Sequence, residues 1–327
     1  MKILYIYREK EKKEYSIEAV FDTVADEMKK LGHEVHKWYK PVSWKQCFRE
    51  IRQLRKEKYD LYHITGDVNY LWILFPWSKT TMTVHDIGFY KNNPKNAVRI
   101  FLVLMIYLAS WGLKRFTCVS DLTRSDLMNL LHIRGKKVVT VTNPLSLPLV
   151  RKEKPFNKEC PTILQIGTGW HKNLEGLIEA VKGIPCKLDI IGQPDEKDLN
   201  KLQEYGIHFT TSHHIPIEEV IRKYEECDIL YFVSRSEGFG MPIIEAQTVG
   251  RVVLTTNTEP TKTIANGAAM LFDTEDHQGI HNGLLKVIKD DYYREALVKA
   301  GYINAANYTP ARIGVAYEDF YKSVSKI

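Results

Sequence analysis

The chain has 327 residues, is 44% hydrophobic and 26% charged, and carries a formal net charge of +6, which suggests two domains of ordinary size in a soluble globular protein. The start, MKILYIYREKEKKEY, has too short an apolar stretch and no small-residue cleavage site, so it is not expected to be a signal peptide. Five cysteines (Cys47, Cys118, Cys160, Cys186, Cys227), odd in number and without a CxxC pair, exclude a zinc site and fit a reduced cytoplasmic compartment.

The charge is uneven. Residues 1–150 hold 25 Lys and Arg against 15 Asp and Glu, a net +10, and the remainder is −4. A basic first half suits an anionic partner. Lipid headgroups, a phosphorylated acceptor and nucleic acid all qualify on charge, a merely solvated lysine-rich surface explains it as well, and the reading adopted below has no nucleic-acid partner.

Taken in chain order, short β-rich runs alternate with helical patterns. The first half offers KILYIY (2–7), EVHKWY (34–39), LYHIT (61–65), TMTVHD (81–86), RFTCVS (115–120) and KVVTVTN (137–143). The second offers TILQIG (162–167), KLDIIG (187–192), HFTTS (208–212), ILYFVS (229–234), VVLTTN (252–257) and AAMLFD (268–273). Strand and helix in alternation predict parallel sheets covered by helices, and six strands per half predict two similar doubly wound domains. Ile17, Val20, Phe21, Val24, Met28 and Leu31 follow helical spacing, with Ser16 as a cap and Gly32 at C′. Leu174, Leu177, Ile178 and Val181 do the same after Asn173, read as a second cap. The longest apolar run, IFLVLMIYLASWGL (Ile100 to Leu113), is too short to span a bilayer and is read as a buried helix, with a membrane-facing helix as the alternative. The charged, proline-bearing stretch at 145–161 places the boundary between domains 1–150 and 151–327. A last helix after Pro310 shows Ile313, Tyr317 and Tyr321 on one face and can pack back on the first domain.

In open parallel sheets, ligands sit at the carboxyl ends of the strands. The stretch SRSEGFGMPIIEA, residues 234–246, follows one such end. Gly238 and Gly240 permit close backbone approach, Pro242 suits the first turn of a helix, and amides opening that helix can receive phosphate. Glu245, in the first turns, can accept hydrogen bonds from two neighbouring hydroxyls, as on a ribose. Complementing the helix dipole, worth about 0.3–1 kcal/mol, would explain Glu245 alone but not Glu237 in the glycine turn.

The segment SRSEGFGMPIIEAQTVGRVVLTTN resembles the signature of retaining glycosyltransferases of family 4, which have the GT-B fold: an α/β architecture of two Rossmann-like doubly wound domains facing a central cleft. Its mark is the glutamate pair Glu237 and Glu245. The resemblance implies that Glu245 binds the donor ribose, that Glu237 lies beside the donor sugar, and that the Gly238-Phe239-Gly240 backbone, followed by Met241, lines the phosphates and sugar. ILQIGTGWHKNLEGLIEAV is similar to the family's first strand, loop and helix of the donor domain. It places Gly167 and Thr168 in the donor site and implies that Lys172 neutralises the diphosphate. TMTVHDIG is similar to the strand that ends in the family's active-site histidine, which implies a place for His85 near the transferred sugar; mere packing is the alternative. Ser120 and Asn143, at the next two strand ends, are expected to shape loops.

The implied activity is transfer of a hexosyl group, with retention, from a GDP- or UDP-sugar to a glycan or lipid-linked acceptor in polysaccharide or glycoconjugate synthesis. No cofactor and no metal are expected, since no DxD pair sits in a suitable loop. The expected location is cytoplasmic, with peripheral contact to an anionic membrane surface on its inner face through the basic first domain. The base, sugar, acceptor and linkage are open. Two departures stand out. YREKEKKEYS replaces a glycine-rich loop after the first strand, with Arg8 or nearby lysines as substitutes. Thr168, Trp170 and His171 occupy the place of an arginine before Lys172, with His171 as a partial replacement. The alternatives are an epimerase or phosphorylase on the same fold, or a non-catalytic binding protein. A nicotinamide oxidoreductase is disfavoured because no GxGxxG follows the first strand.

Overall fold

A computed structural model of the chain describes residues 1–10, 16–87 and 96–325. By its contacts the chain divides into two units, Met1–Ser146 together with Thr309–Ile327, and Leu147–Tyr308. The second unit therefore ends at Tyr308, and the last helix, Pro310–Ser325, belongs to the first.

The first unit holds strands β1 (Lys2–Tyr7), β2 (Glu34–Tyr39), β3 (Leu61–Ile64), β4 (Thr80–Val84), β5 (Phe116–Cys118) and β6 (Val138–Thr140). They form one sheet in the order β2-β1-β3-β4-β5-β6, with parallel pairing throughout. The order reverses between β1 and β3, so a crevice is expected beyond the ends of those two strands. The strands are apolar almost continuously because helices cover the sheet. Val20, Phe21, Val24 and Met28 of the helix Ser16–Lys30 are buried, as their spacing predicted, whereas Leu31 is exposed.

The helix Pro310–Ser325 is fastened to this sheet by a buried polar chain. Tyr321 Oη lies 2.9 Å from Tyr5 Oη and 2.6 Å from His63 Nδ1. His63 Nε2 lies 2.8 Å from Thr83 Oγ1, which lies 2.6 Å from Thr117 Oγ1. Burial pushes the His63 imidazole down to about 3, so it is neutral and can act as donor on one nitrogen and acceptor on the other.

The apolar run read as a buried helix forms the helix Ala97–Gly112. Only one face is buried: Val103, Met105, Ile106 and Ala109 are in the core, whereas Phe101, Leu104, Leu108 and Trp111 are exposed. An all-round apolar sequence carries no periodicity from which a solvent face can be read.

The second unit holds β7 (Thr162–Ile166), β8 (Lys187–Ile191), β9 (His208–Ser212), β10 (Ile229–Phe232), β11 (Val252–Thr256) and β12 (Met270–Phe272). Their order is β12-β11-β10-β7-β8-β9, again all parallel. This is the doubly wound dinucleotide-fold order, and its switch point lies between β7 and β10. All twelve strands expected from the sequence are present.

The Tyr321 hydroxyl serves two buried partners, so removing it strands both. Tyr321→Phe is expected to lower stability by about 1–3 kcal/mol in urea denaturation. No change in midpoint would mean that the polar chain is not a fastening.

Candidate active site

The switch point of the second unit is bounded by the loop after β7 and the loop after β10, and these loops carry the glycosyltransferase-like motifs. Gly167 has φ +84°, and a Cβ there would come within 2.9 Å of Lys172 Cγ. Glycine at this position therefore lets the lysine stem run back along the loop. A short 3-10 turn, Trp170–Lys172, follows. Lys172 Nζ donates to Glu237 Oε1 at 2.7 Å and lies 5.1 Å from the centre of the Phe232 ring. Both partners are mostly buried, with side-chain exposures of 21% and 12%. The structure thus joins two residues to which the motifs assign separate roles.

Buried amides hold this pair in place. Gln165 Nε2 donates to the carbonyls of Gly167 (2.9 Å) and Lys172 (3.1 Å). Asn173, 1% exposed and at φ +56°, does not cap the helix Leu174–Ala180 with its side chain. Its Nδ2 instead donates to the carbonyls of Val233 (3.1 Å) and Thr274 (2.9 Å), tying the loop after β7 to the loops after β10 and β12. Gly176 leaves room for that amide, since a Cβ there would meet Asn173 Nδ2 at 2.7 Å. Among the described residues, buried side-chain oxygens without a hydrogen-bond partner near these strand ends are Gln165 Oε1, Asn173 Oδ1 and Ser234 Oγ. Such orphans are rare in a folded interior and call for an explanation at each site.

The helix Met241–Val249 opens on Gly240, at φ +113°, with Pro242 in the first turn as its position predicted. Glu245 is 8% exposed and accepts from Tyr224 Oη at 2.5 Å. Burial raises its carboxyl to about 7, against the lowering effect of the Tyr224 hydroxyl. The Phe239 side chain is buried edge-on against Tyr308, 5.9 Å between centroids, which leaves its backbone as the part able to line a ligand. Thr168 Oγ1 donates to the Gln193 carbonyl at 2.7 Å, bracing the loop after β7 against the loop after β8. Met241 and Gly238 are half-buried between the two glutamates.

The sequence did not single out Arg235. Its Nε donates to Glu275 at 3.0 Å, its Nη1 donates to the Trp170 carbonyl at 3.0 Å, and its guanidinium lies 5.3 Å from the Trp170 ring centre. Tyr224 was missed as well, being twenty-one positions from Glu245 and joined to it only by folding. His171 is a poor substitute for a missing cation, because desolvation and the Lys172 charge both lower its pKa.

In the first unit, His85 directly follows β4 and is half-buried. Its Nε2 donates to the Thr65 carbonyl at 2.7 Å, and its ring lies over Gly66, where a Cβ would come within 2.8 Å. Desolvation lowers its pKa, so the imidazole is neutral with its proton on Nε2 and a lone pair on Nδ1. Arg8, 4% exposed, donates to Glu18 through Nε (2.7 Å) and Nη2 (3.0 Å), and to Asp67 through Nη1 (2.5 Å). It pins the β1–β3 switch point, which leaves it ill placed to replace a glycine-rich loop. Of the lysines proposed alongside it, Lys10 has its Nζ 4.7 Å from the centre of the Tyr39 ring, and Lys12 and Lys13 lie outside the described residues. Ser120 caps the helix Asp121–Leu131 by accepting from Thr123 N, while Asn143 is buried near the end of β6.

Two parallel six-stranded sheets with these strand orders define a GT-B glycosyltransferase fold. A HepE protein from Anabaena, solved in complex with UDP-glucose, shares it over 99% of this chain and 100% of its own, with TM-score 0.76 and 14% identity. Residues 148–303 match the family described as Glycosyl transferases group 1, and that match, the fold and the relatives together support a glycosyltransferase like those of family 4. The O-antigen chain mannosyltransferase B of Escherichia coli is 25% identical over 258 residues, covering 71% of this chain and 67% of that enzyme. The N,N'-diacetylbacillosaminyl-diphospho-undecaprenol alpha-1,3-N-acetylgalactosaminyltransferase of Campylobacter jejuni is 23% identical over 253 residues, 71% of this chain and 66% of that enzyme.

The raised pKa of Glu245 has a cost in stability. Between its ordinary value of 4.5 and about 7 the folded chain keeps a proton that the unfolded chain has released, so stability falls as pH rises through that window. Glu245→Gln is expected to stabilise the ligand-free protein at pH 8 by on the order of 3 kcal/mol, and to have little effect at pH 4. Denaturation curves at the two pH values check this, and an equal or less stable variant at pH 8 would contradict it.

Proposed function

We propose that the chain transfers a hexosyl group from a UDP- or GDP-linked sugar to a hydroxyl of a glycan or lipid-linked acceptor, with retained configuration and without a required metal. The observation that carries this reading is the Lys172–Glu237 ion pair at the β7–β10 switch point, beside the helix that holds Glu245. A single cation held by a carboxylate is poised to exchange it for a ligand phosphate, because a diphosphate carries more charge than one carboxylate. The amides opening the helix Met241–Val249 can add positive potential for the same group.

In this reading Glu245 accepts hydrogen bonds from the ribose hydroxyls, and Glu237, released from Lys172, sits beside the donor sugar. The bond from the anomeric carbon to the β-phosphate oxygen breaks, and a bond from that carbon to the acceptor oxygen forms on the same face. The acceptor proton passes to the departing phosphate, whose developing charge Lys172 stabilises. His85 is assigned to the sugar by resemblance, and its Nδ1 lone pair suits a sugar hydroxyl. The Campylobacter relative is named for a diphospho-undecaprenol acceptor and the Escherichia coli relative for O-antigen chains, which supports the acceptor class.

Calorimetry with UDP and GDP is the first test. One of the two is expected to bind, with Lys172→Ala weakening it by roughly tenfold or more, the range of a lost charged hydrogen bond. Glu237→Gln frees Lys172 of its competitor, so nucleotide binding is expected to hold or tighten while turnover falls. With the matching sugar nucleotide and an acceptor, NMR of the product should report the donor's anomeric configuration, in EDTA as in its absence. Binding of neither nucleotide, or an epimerised sugar nucleotide formed without acceptor, would overturn the proposal.

A further inference from the structure

The second unit has a hollow at the amino ends of its strands, away from the donor loops. Its volume is about 490 Å³, which suits a small-molecule ligand. Cys227 and Asp228 directly precede β10, and Gly250 and Arg251 directly precede β11. The helix Asp291–Ala305 and the stretch before β7 supply the remaining walls. Lys172 and Glu237, by contrast, lie in the loops that follow β7 and β10 at the opposite ends of the sheet.

The lining is basic. Five cations, Arg151, Lys154, Arg251, Arg294 and Lys299, face three carboxylates, an excess of two positive charges. The part of the chain that holds them, 151–327, is itself net −4. Two of the carboxylates are already engaged. Asp228 takes Lys154 Nζ at 2.8 Å and accepts from the amides of Asn157 (3.2 Å) and Thr162 (2.8 Å), and Glu153 pairs with Arg151. The third, Glu295, is exposed.

Arg251 is the cation left unanswered. It is 5% exposed, and its guanidinium donates to backbone carbonyls, those of Tyr224 (3.1 Å), Gly250 (3.3 Å) and Glu225 (2.6 Å). Among the described residues no carboxylate pairs with it directly, and desolvation lowers its pKa against the attraction of the acidic groups around it. A buried charge without a counter-ion is costly, and an arriving anion relieves that cost. A guanidinium has five N–H groups, so three carbonyls leave two for a ligand. The neighbouring guanidiniums are held against aromatic walls. That of Arg294 lies 4.1 Å from the Phe156 ring centre, and that of Arg151 lies 4.5 Å from the Tyr302 ring centre. Gly250, at φ +92°, makes room for the Tyr302 hydroxyl, with which a Cβ would collide.

We propose that this hollow binds the phosphate group of a small soluble molecule, either a sugar phosphate or inorganic phosphate, at a site separate from the donor site. A phosphate dianion matches the excess of two charges, and its oxygens fit the guanidinium fork in a way that a point charge does not require. The proposal does not depend on the donor-site reading.

Calorimetric titration of the full chain at pH 8 with inorganic phosphate and with glucose 1-phosphate tests it. At least one probe is expected to bind at one site per chain, more weakly as salt is raised, and to keep its affinity in Lys172→Ala, which removes the donor-site cation. Arg251→Gln is expected to weaken binding at least about tenfold, the range of a lost charged hydrogen bond. Arg151→Gln with Lys299→Gln is expected to weaken it about threefold or more. Circular dichroism checks folding, and the double variant, altering only exposed side chains, stands alone if Arg251→Gln misfolds. Tighter binding of glucose 1-phosphate would support a sugar phosphate as the occupant, and equal binding would support inorganic phosphate. Binding that survives unchanged in either folded variant of the hollow, or that is lost in Lys172→Ala, would overturn the proposal in favour of the donor site. Absence of binding by both probes would also overturn it, and would leave the donor-site reading standing if UDP or GDP still binds.

Discussion

The Lys172–Glu237 pair lies beside a buried tie that Asn173 makes between strand-end loops. Its buried amide reaches from the end of the loop after β7 to the carbonyls of Val233 and Thr274, across the point where the strand order reverses. Three backbone features accompany that tie. Asn173 adopts a left-handed conformation, Gly176 leaves it room, and Gly167 lets the Lys172 stem fold back toward Glu237. Polar groups buried at such a junction are costly unless satisfied, and Asn173 Oδ1 and Gln165 Oε1 remain without partners. Among the described residues, these two oxygens lie where the strand order of the second unit reverses.

The two units treat the same topological opportunity differently. At the β1–β3 switch point, Arg8 is buried and held by two carboxylates, so the crevice is pinned by internal ion pairs. At the β7–β10 switch point, one lysine meets one glutamate, and a helix N-terminus opens nearby. The first arrangement satisfies itself, and the second can exchange its anion.

Much of this was legible in the sequence, and the parts that were not share a reason. Strand positions follow from apolar runs closed by glycine and turn residues, and all twelve fall where those runs lie. Gly240 and Pro242 mark the start of the helix Met241–Val249, where the structure has it. Asn173 was visible as a polar residue before a helix, but its partners are sixty and a hundred and one residues away, so it was read as a cap. Tyr224 carries no signal at all, because its bond to Glu245 exists only once the helix Ile217–Glu226 lies beside the helix Met241–Val249. The Ile100–Leu113 run was read as buried because uniform hydrophobicity hides which face meets solvent. The structure divides it into a buried and an exposed face.

The central claim is that a sugar nucleotide seats at the carboxyl ends of β7 and β10. Hydrogen–deuterium exchange with and without the nucleotide that binds tests it directly. The account predicts protection in 166–174 and 233–246, where Lys172, Glu237 and Glu245 stand. Protection confined to other strand ends of the second unit, with these two segments unchanged, would contradict it.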